Sequence, residues 1–144
     1  MPHDNAALAR RWFKEVWNEK NEEAIGRLMA PESVVHGLGG TDDSPLRGPE
    51  AFKPVFRTFH NALENINVSV EKTMVEGEWC TALCRVKGQH RGAGFGGAPT
   101  DRAVDFTGIV LARVRDGKLI EGWNSFDFLT MYQQLGWVKN PVAP

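Results

Sequence analysis

Asp127 is the side chain of this sequence best placed by type and setting to move a proton. It ends a strand-like segment, with Trp123, Phe126, Phe128 and Leu129 close by in sequence. Burial against such groups destabilises a carboxylate and raises its pKa. A carboxyl brought nearer neutrality can take up and return a proton. Asp127 also stands where an N-cap is wanted for a helix from Phe128 to Leu135. The two roles compete for the same two oxygens, and the residues alone leave both open.

His90 is the second candidate. Counting by two along its strand, it shares a face with Gly88, Val86, Cys84, Ala82 and Cys80. These small neighbours would leave room for a ligand; the competing reading is a surface histidine at a strand end. His36 follows two valines and either lines a pocket from the helical side or is a satisfied structural histidine. His60 reads as a surface or packing residue of a helix, and His3 lies in a flexible terminus. No histidine pair has the spacing or carboxylate company of a metal site, so none is expected. Cys80 and Cys84 on one strand would sit roughly 13 Å apart, too far for a disulfide. They read as small buried thiols.

Two further patterns carry no chemistry. Gly92 to Gly97 fits G-x-G-x-x-G, but Ala98-Pro99 follows where a phosphate-binding turn needs a helix N-terminus. Asn67-Val68-Ser69 fits a glycosylation acceptor, but nothing points to secretion.

The elements that must position these residues follow from periodicity. Leu8, Trp12, Phe13, Val16 and Trp17 predict an amphipathic helix over Asn5–Asn18. A shorter helix follows, capped by Asn21, with Ile25, Leu28 and Met29 apolar, and Pro31 as its stop. After Val34-Val35-His36-Gly37 comes a Gly39–Pro45 loop. A third helix starts with Pro49 at its first position and carries Phe52, Val55, Phe56, Phe59 and Leu63; Pro54 is its irregularity. The period then changes to two. Strands are predicted from Ile66 to Val70, Trp79 to Arg91, Val104 to Arg115 and Leu119 to Phe126. Asp116-Gly117 is a hairpin signal, Gly136 ends the last helix, and Asn140–Pro144 reads as a loose tail. Helices followed by antiparallel strands define an α+β fold. A curved sheet with helices across its mouth leaves a cone for a small ligand. Trp123, which shares the face of Asp127 by the period of two, then reads as pocket wall or core, Glu121 as a partner of Arg113, and Trp12, Trp17, Phe52, Phe56 and Phe59 as cavity lid or plain core.

The bulk numbers agree. The chain has 144 residues and reads as one domain over residues 1–144, with 42% hydrophobic and 24% charged residues. A formal charge of −1 gives no footprint for nucleic acid or an anionic membrane. The polar Met1–Ala7 stretch is no secretory signal, and no apolar run reaches the roughly 18 residues of a membrane span. A cytoplasmic location is expected.

Several pieces together resemble the SnoaL-like polyketide cyclase (ester cyclase) family of the nuclear transport factor 2-like superfamily. In order they are Arg11-Trp12-Phe13 with Val16-Trp17-Asn18, Pro31…His36-Gly37, Arg47-Gly48-Pro49-Glu50, Gly88-Gln89-His90 with Pro99-Thr100, Phe106-Thr107-Gly108-Ile109, Gly117 to Trp123, and Asp127 with Gln134-Leu135-Gly136. The resemblance covers roughly Ala7 to Trp137. It implies a cone-shaped α+β barrel, with a curved antiparallel sheet wrapped around N-terminal helices. It also implies cofactor-free closure of a ring by intramolecular aldol condensation on a small apolar carbonyl compound, with Asp127 as acid/base and His90 assisting. His36, Trp123, Phe56, Trp17 and Phe106 are the expected substrate-binding residues. An isomerase or hydratase/dehydratase in the same pocket, or a non-catalytic binding module, are the alternatives. The family's habit implies a homodimer or homotetramer, with Trp79 and Leu83 on the outer sheet face as a reasonable interface. The loop Arg91–Pro99 departs from the common pattern, which often has an acidic residue near Ala93 or Gly94 and a proline at Ala98.

Overall fold

The structure is a computed structural model and describes residues 4–38 and 44–139. Part of the Gly39–Pro45 loop, His3 and the Asn140–Pro144 tail therefore lie outside the described residues. The first helix has two parts, α1 (Asn5–Arg11) and a π-helix (Trp12–Asn18). Uniform α-helix was expected here. The wider turn shows in Glu19 N–H donating to the Lys14 carbonyl, five residues back. Phe13 and Val16 are buried, with Trp12 and Trp17 half-buried beside them. Asp4 caps α1 by accepting from the Ala7 N–H at 3.0 Å.

Helix α2 (Glu23–Leu28) passes straight into strand β1 (Met29–His36). Pro31 is thus an exposed strand residue and not the helix stop expected. It lies between Met29 and Val34, where the pairing register shifts, so its missing N–H breaks no regular ladder. Strand β2 (Leu46–Arg47) leads into α3 (Gly48–Ala62), which continues through exposed Pro54. Strands β3 (Leu63–Glu76), β4 (Trp79–His90), β5 (Ala103–Arg115) and β6 (Lys118–Phe126) follow, then α4 (Phe128–Gln134). Strand β3 runs well past the expected Val70. Adjacent polar Glu71 and Lys72 hide its alternation at a register shift between Val70 and Lys72.

Six strands form one sheet in the order β2-β1-β6-β5-β4-β3. Only four strands were expected, all antiparallel. The sheet is mixed, because β1 runs parallel to β6. It is curved but unclosed, with β2 and β3 as free edges, so the barrel is open. Asp116 and Gly117 both have positive φ, 53° and 74°, as a tight hairpin turn between β5 and β6 requires.

Alternation decides what the sheet shows to the helices. On β4, Cys80, Ala82, Cys84, Val86 and His90 are buried; on β5, Val104, Phe106, Ala112 and Val114 are. The opposite face carries Trp79, Leu83, Ile109, Leu111 and Trp123, each at least 37% exposed. Helix α4 docks through Gln134, whose side chain accepts from the Asp105 N–H and donates to the Asp105 carbonyl, both at 2.8 Å. Among the described residues no helix is long and apolar enough to cross a membrane.

Candidate ligand-binding cavity

Between the sheet's inner face and the helices lies a cavity of about 100 Å³. That is the scale of an apolar void able to hold a single aromatic ring. A larger ligand must push its walls outward. Trp12, Phe13, Trp17, Phe52 and Phe59 form the helical wall, and Ala82, Val86, Phe106, Val110 and Ala112 the sheet wall. Trp17 is held edge-on to Phe52 and Phe59, at centroid distances of 6.0 and 5.9 Å. Of the expected substrate-binding residues, Trp17 and Phe106 line this space. Phe56 is buried behind it, beside Trp17.

His36 and Trp123 do not line it. Their rings stack at 4.9 Å and 15° on the outer face, and Trp123 continues onto Trp79 at 5.7 Å. Glu121 joins them: its carboxylate meets His36 Nε2 at 2.8 Å. The expected Glu121–Arg113 pair is replaced, since Arg113 and Arg115 both bond Glu78. Those two arginines hold the Glu78 carboxyl down to about 2.

The parity of β6 explains the difference. Counting by two from Asp127 put Trp123 on the inner face. In the register, inner residues Gly108 and Val110 of β5 face Phe126 and Asn124. Asn124 and Phe126 therefore point inward, and Trp123 outward. Asp127 lies outside the strand and keeps no parity with it.

Asp127 is exposed and caps α4. It accepts from the Thr130 N–H at 3.0 Å and the Thr130 hydroxyl at 2.6 Å. These bonds hold its carboxyl below the usual aspartate value, with burial only a minor opposing effect. The expected rise by burial is thereby corrected, and the carboxylate is not part of the cavity lining.

His90 is wholly buried. Its Nδ1 accepts from the Thr100 backbone N–H at 3.0 Å, with the Thr100 hydroxyl at the same distance. A ring nitrogen that accepts leaves the proton on Nε2 in neutral imidazole. Nε2 is buried without a partner among the described residues, which costs about 1–3 kcal/mol unless something fills the gap. The ring lies against Phe95 at 5.9 Å and Trp137 at 5.1 Å. It is one side chain from the cavity: Leu63, its ladder partner, and Phe59, which packs on Phe95 at 5.3 Å, both line it.

Two cavity residues were missed in the sequence. Ser33 follows exposed Glu32 on β1 and is itself 1% exposed, and its hydroxyl has no hydrogen-bond partner among the described residues. Asn124 donates through Nδ2 to the His36 carbonyl at 3.0 Å, leaving its Oδ1 for the cavity. Burial pushes the Cys84 thiol up to about 12, and both cysteines are free and unsuited to nucleophilic work. No group of three or more metal-ligating side chains occurs among the described residues.

Residues 7–135 match the family model described as SnoaL-like polyketide cyclase. The chain belongs to the SnoaL-like polyketide cyclase family. It is 32% identical over 131 residues to aklanonic acid methyl ester cyclase DnrD of Streptomyces peucetius, covering 90% of this chain and 88% of DnrD. Among solved structures, wild-type IdmH of Streptomyces antibioticus superposes with a TM-score of 0.81 at 27% identity, covering 93% of this chain and 99% of IdmH. TsrD of Streptomyces laurentii superposes at 0.80 with 21% identity, covering 95% and 100% of the two chains. This SnoaL-like chain thus has the nuclear transport factor 2-like fold, and its family supports a cyclase-type function.

Proposed function

We propose that the protein closes a ring on a hydrophobic polyketide ester inside the apolar cavity, by cofactor-independent intramolecular aldol addition. The observation that carries this reading is a buried, unpartnered His90 Nε2–H beside an aromatic-walled cavity in a chain of this family. In the reaction a base removes a proton from a substrate α-carbon. The enolate carbon attacks a second carbonyl carbon, a C–C bond forms, and the carbonyl π pair moves to oxygen, which takes up a proton. The product is an isomer of the substrate. His90 Nε2–H is a preorganised donor for the developing oxyanion, worth most where water is excluded. A ligand reaches it by displacing Phe95.

The resemblance assigns the base to Asp127. A capping carboxylate with a lowered pKa is a weak base, so the reading rests on His90 and the cavity. The same facts favour a second reading, a non-catalytic ligand-binding module, because Asp127 is committed to its cap. The protein acts on its ligand in the cytoplasm, as a dimer through the outer face bearing Trp79, Leu83, Ile109, Leu111 and Trp123.

The test is incubation with aklanonic acid methyl ester, the compound in the relative's name, followed by product analysis. Wild type should yield an isomer of unchanged mass, and a folded His90→Phe variant should be at least about a hundredfold slower. Full activity in that variant would remove His90 from the mechanism. No isomer with wild type, but saturable binding, would favour the binding module.

A further inference from the structure

We propose that Ser33 anchors the ligand, its hydroxyl donating a hydrogen bond to a carbonyl oxygen of the molecule in the cavity. The proposal rests on the reading above in one respect, that a ligand occupies this cavity. Ser33 lies on β1 in the cavity wall, 1% exposed, and its Oγ has no hydrogen-bond partner among the described residues. A hydroxyl buried without a partner is destabilising, and a ligand oxygen would relieve that. The helical and central sheet walls are apolar side chains, so they accept hydrocarbon surface without orienting it. Of the other polar residues at the lining, Asn124 has its amide nitrogen committed to the His36 carbonyl and Glu121 has its carboxylate, an acceptor, bonded to His36 Nε2. Ser33 is therefore the inward-facing hydroxyl donor left open at the β1 side.

Its place gives it a positioning role. Strand β1 and strand β4, which carries His90, are separated in the sheet by β6 and β5. Three strand spacings amount to roughly 14 Å along the sheet, shortened through space by its curvature. Ser33 thus holds an oxygen at the end of the ligand remote from His90. Holding that end fixes which carbonyl approaches Nε2, and such orientation is a large part of what an intramolecular closure needs.

Acetophenone and its isostere α-methylstyrene, which lacks the oxygen, are the probes. Their affinities for wild type, Ser33→Ala and Ser33→Thr are measured by quenching of the cavity tryptophans, with melting temperatures alongside. Wild type should prefer acetophenone. Ser33→Ala should weaken acetophenone by about five- to tenfold, leave α-methylstyrene unchanged and melt no lower, since no protein hydrogen bond is lost. Ser33→Thr should restore the preference. Equal weakening of both probes, or no weakening of either, overturns the assignment while leaving the cavity reading intact. Failure of wild type to bind either probe overturns both.

Discussion

Filling the cavity should separate ligand binding from folding. Ala82 is 2% exposed on β4, in the middle of the inner sheet face, and lines the cavity. Ala82→Leu adds three carbons directed at a void of about 100 Å³. Burying three carbons is worth about 2 kcal/mol at roughly 0.8 kcal/mol each. The cavity coefficient of about 24 cal/mol per Å³ sets a similar ceiling of about 2.4 kcal/mol for filling the whole void. In a close-packed core the same change would cost about 1–3 kcal/mol through overpacking. The two cases differ in sign. At roughly 2–4 °C per kcal/mol for a chain of this size, the filled variant should melt up to about 8 °C higher. It should also lose acetophenone binding. Differential scanning fluorimetry and tryptophan quenching read both quantities. A lower melting temperature with intact binding would show that the ligand sits elsewhere and that this space is not a usable cavity.

Three other outcomes follow from the packing. Burial lowers the pKa of His60, and its interaction with the Val16 backbone opposes this only in part. The unfolded chain then binds the proton more readily, so stability should fall as pH drops below about 6.5; His60→Gln should flatten that part of a melting-temperature profile from pH 8 to 5. A side chain at Gly92 would place its Cβ 1.7 Å from the Asn61 carbonyl oxygen, where the 91–100 loop packs on the end of α3. Gly92→Ala should cost about 1–3 kcal/mol in urea unfolding. Leu111, 40% exposed, sits between Thr81 and Trp123 in the outer apolar face; if that face is the proposed dimer interface, wild type should scatter light as a dimer and Leu111→Arg as a monomer, without a lower melting temperature.

How far the residues alone disclosed this arrangement depends on what each signal measures. Period-two alternation located β4 and β5 closely, because each buries one face and exposes the other over at least twelve residues. Strand β1 was hidden because Pro31 and Glu32 interrupt it and its partner β6 is about ninety residues away, a pairing no local pattern reports. The inner face of β6 was misread because the count started from Asp127, a helix cap beyond the strand. Trp123 and His36 had the composition of pocket residues but stack outside. Asp127 itself shows the limit of local surroundings: four apolar neighbours in sequence did not bury it, because the turn into α4 aims its oxygens at Thr130. His90 was legible through its small same-face neighbours. Its acceptor Nδ1 depends on Thr100 across the glycine-rich loop, a contact of tertiary origin. Ser33 carried almost no signal, because Pro31 and Glu32 before it mask the alternation that places it inward.

The most direct test of ring closure in the cavity compares two proteins on one substrate. Purified wild type and Ala82→Leu, both shown folded, are incubated with a linear polyketide ester able to undergo intramolecular aldol addition, and isomer formation is followed by chromatography with mass detection. Catalysis inside the cavity requires rapid conversion by wild type and loss of that conversion in the filled variant. Equal rates for the two proteins, or a wild-type rate no faster than buffer, would contradict it.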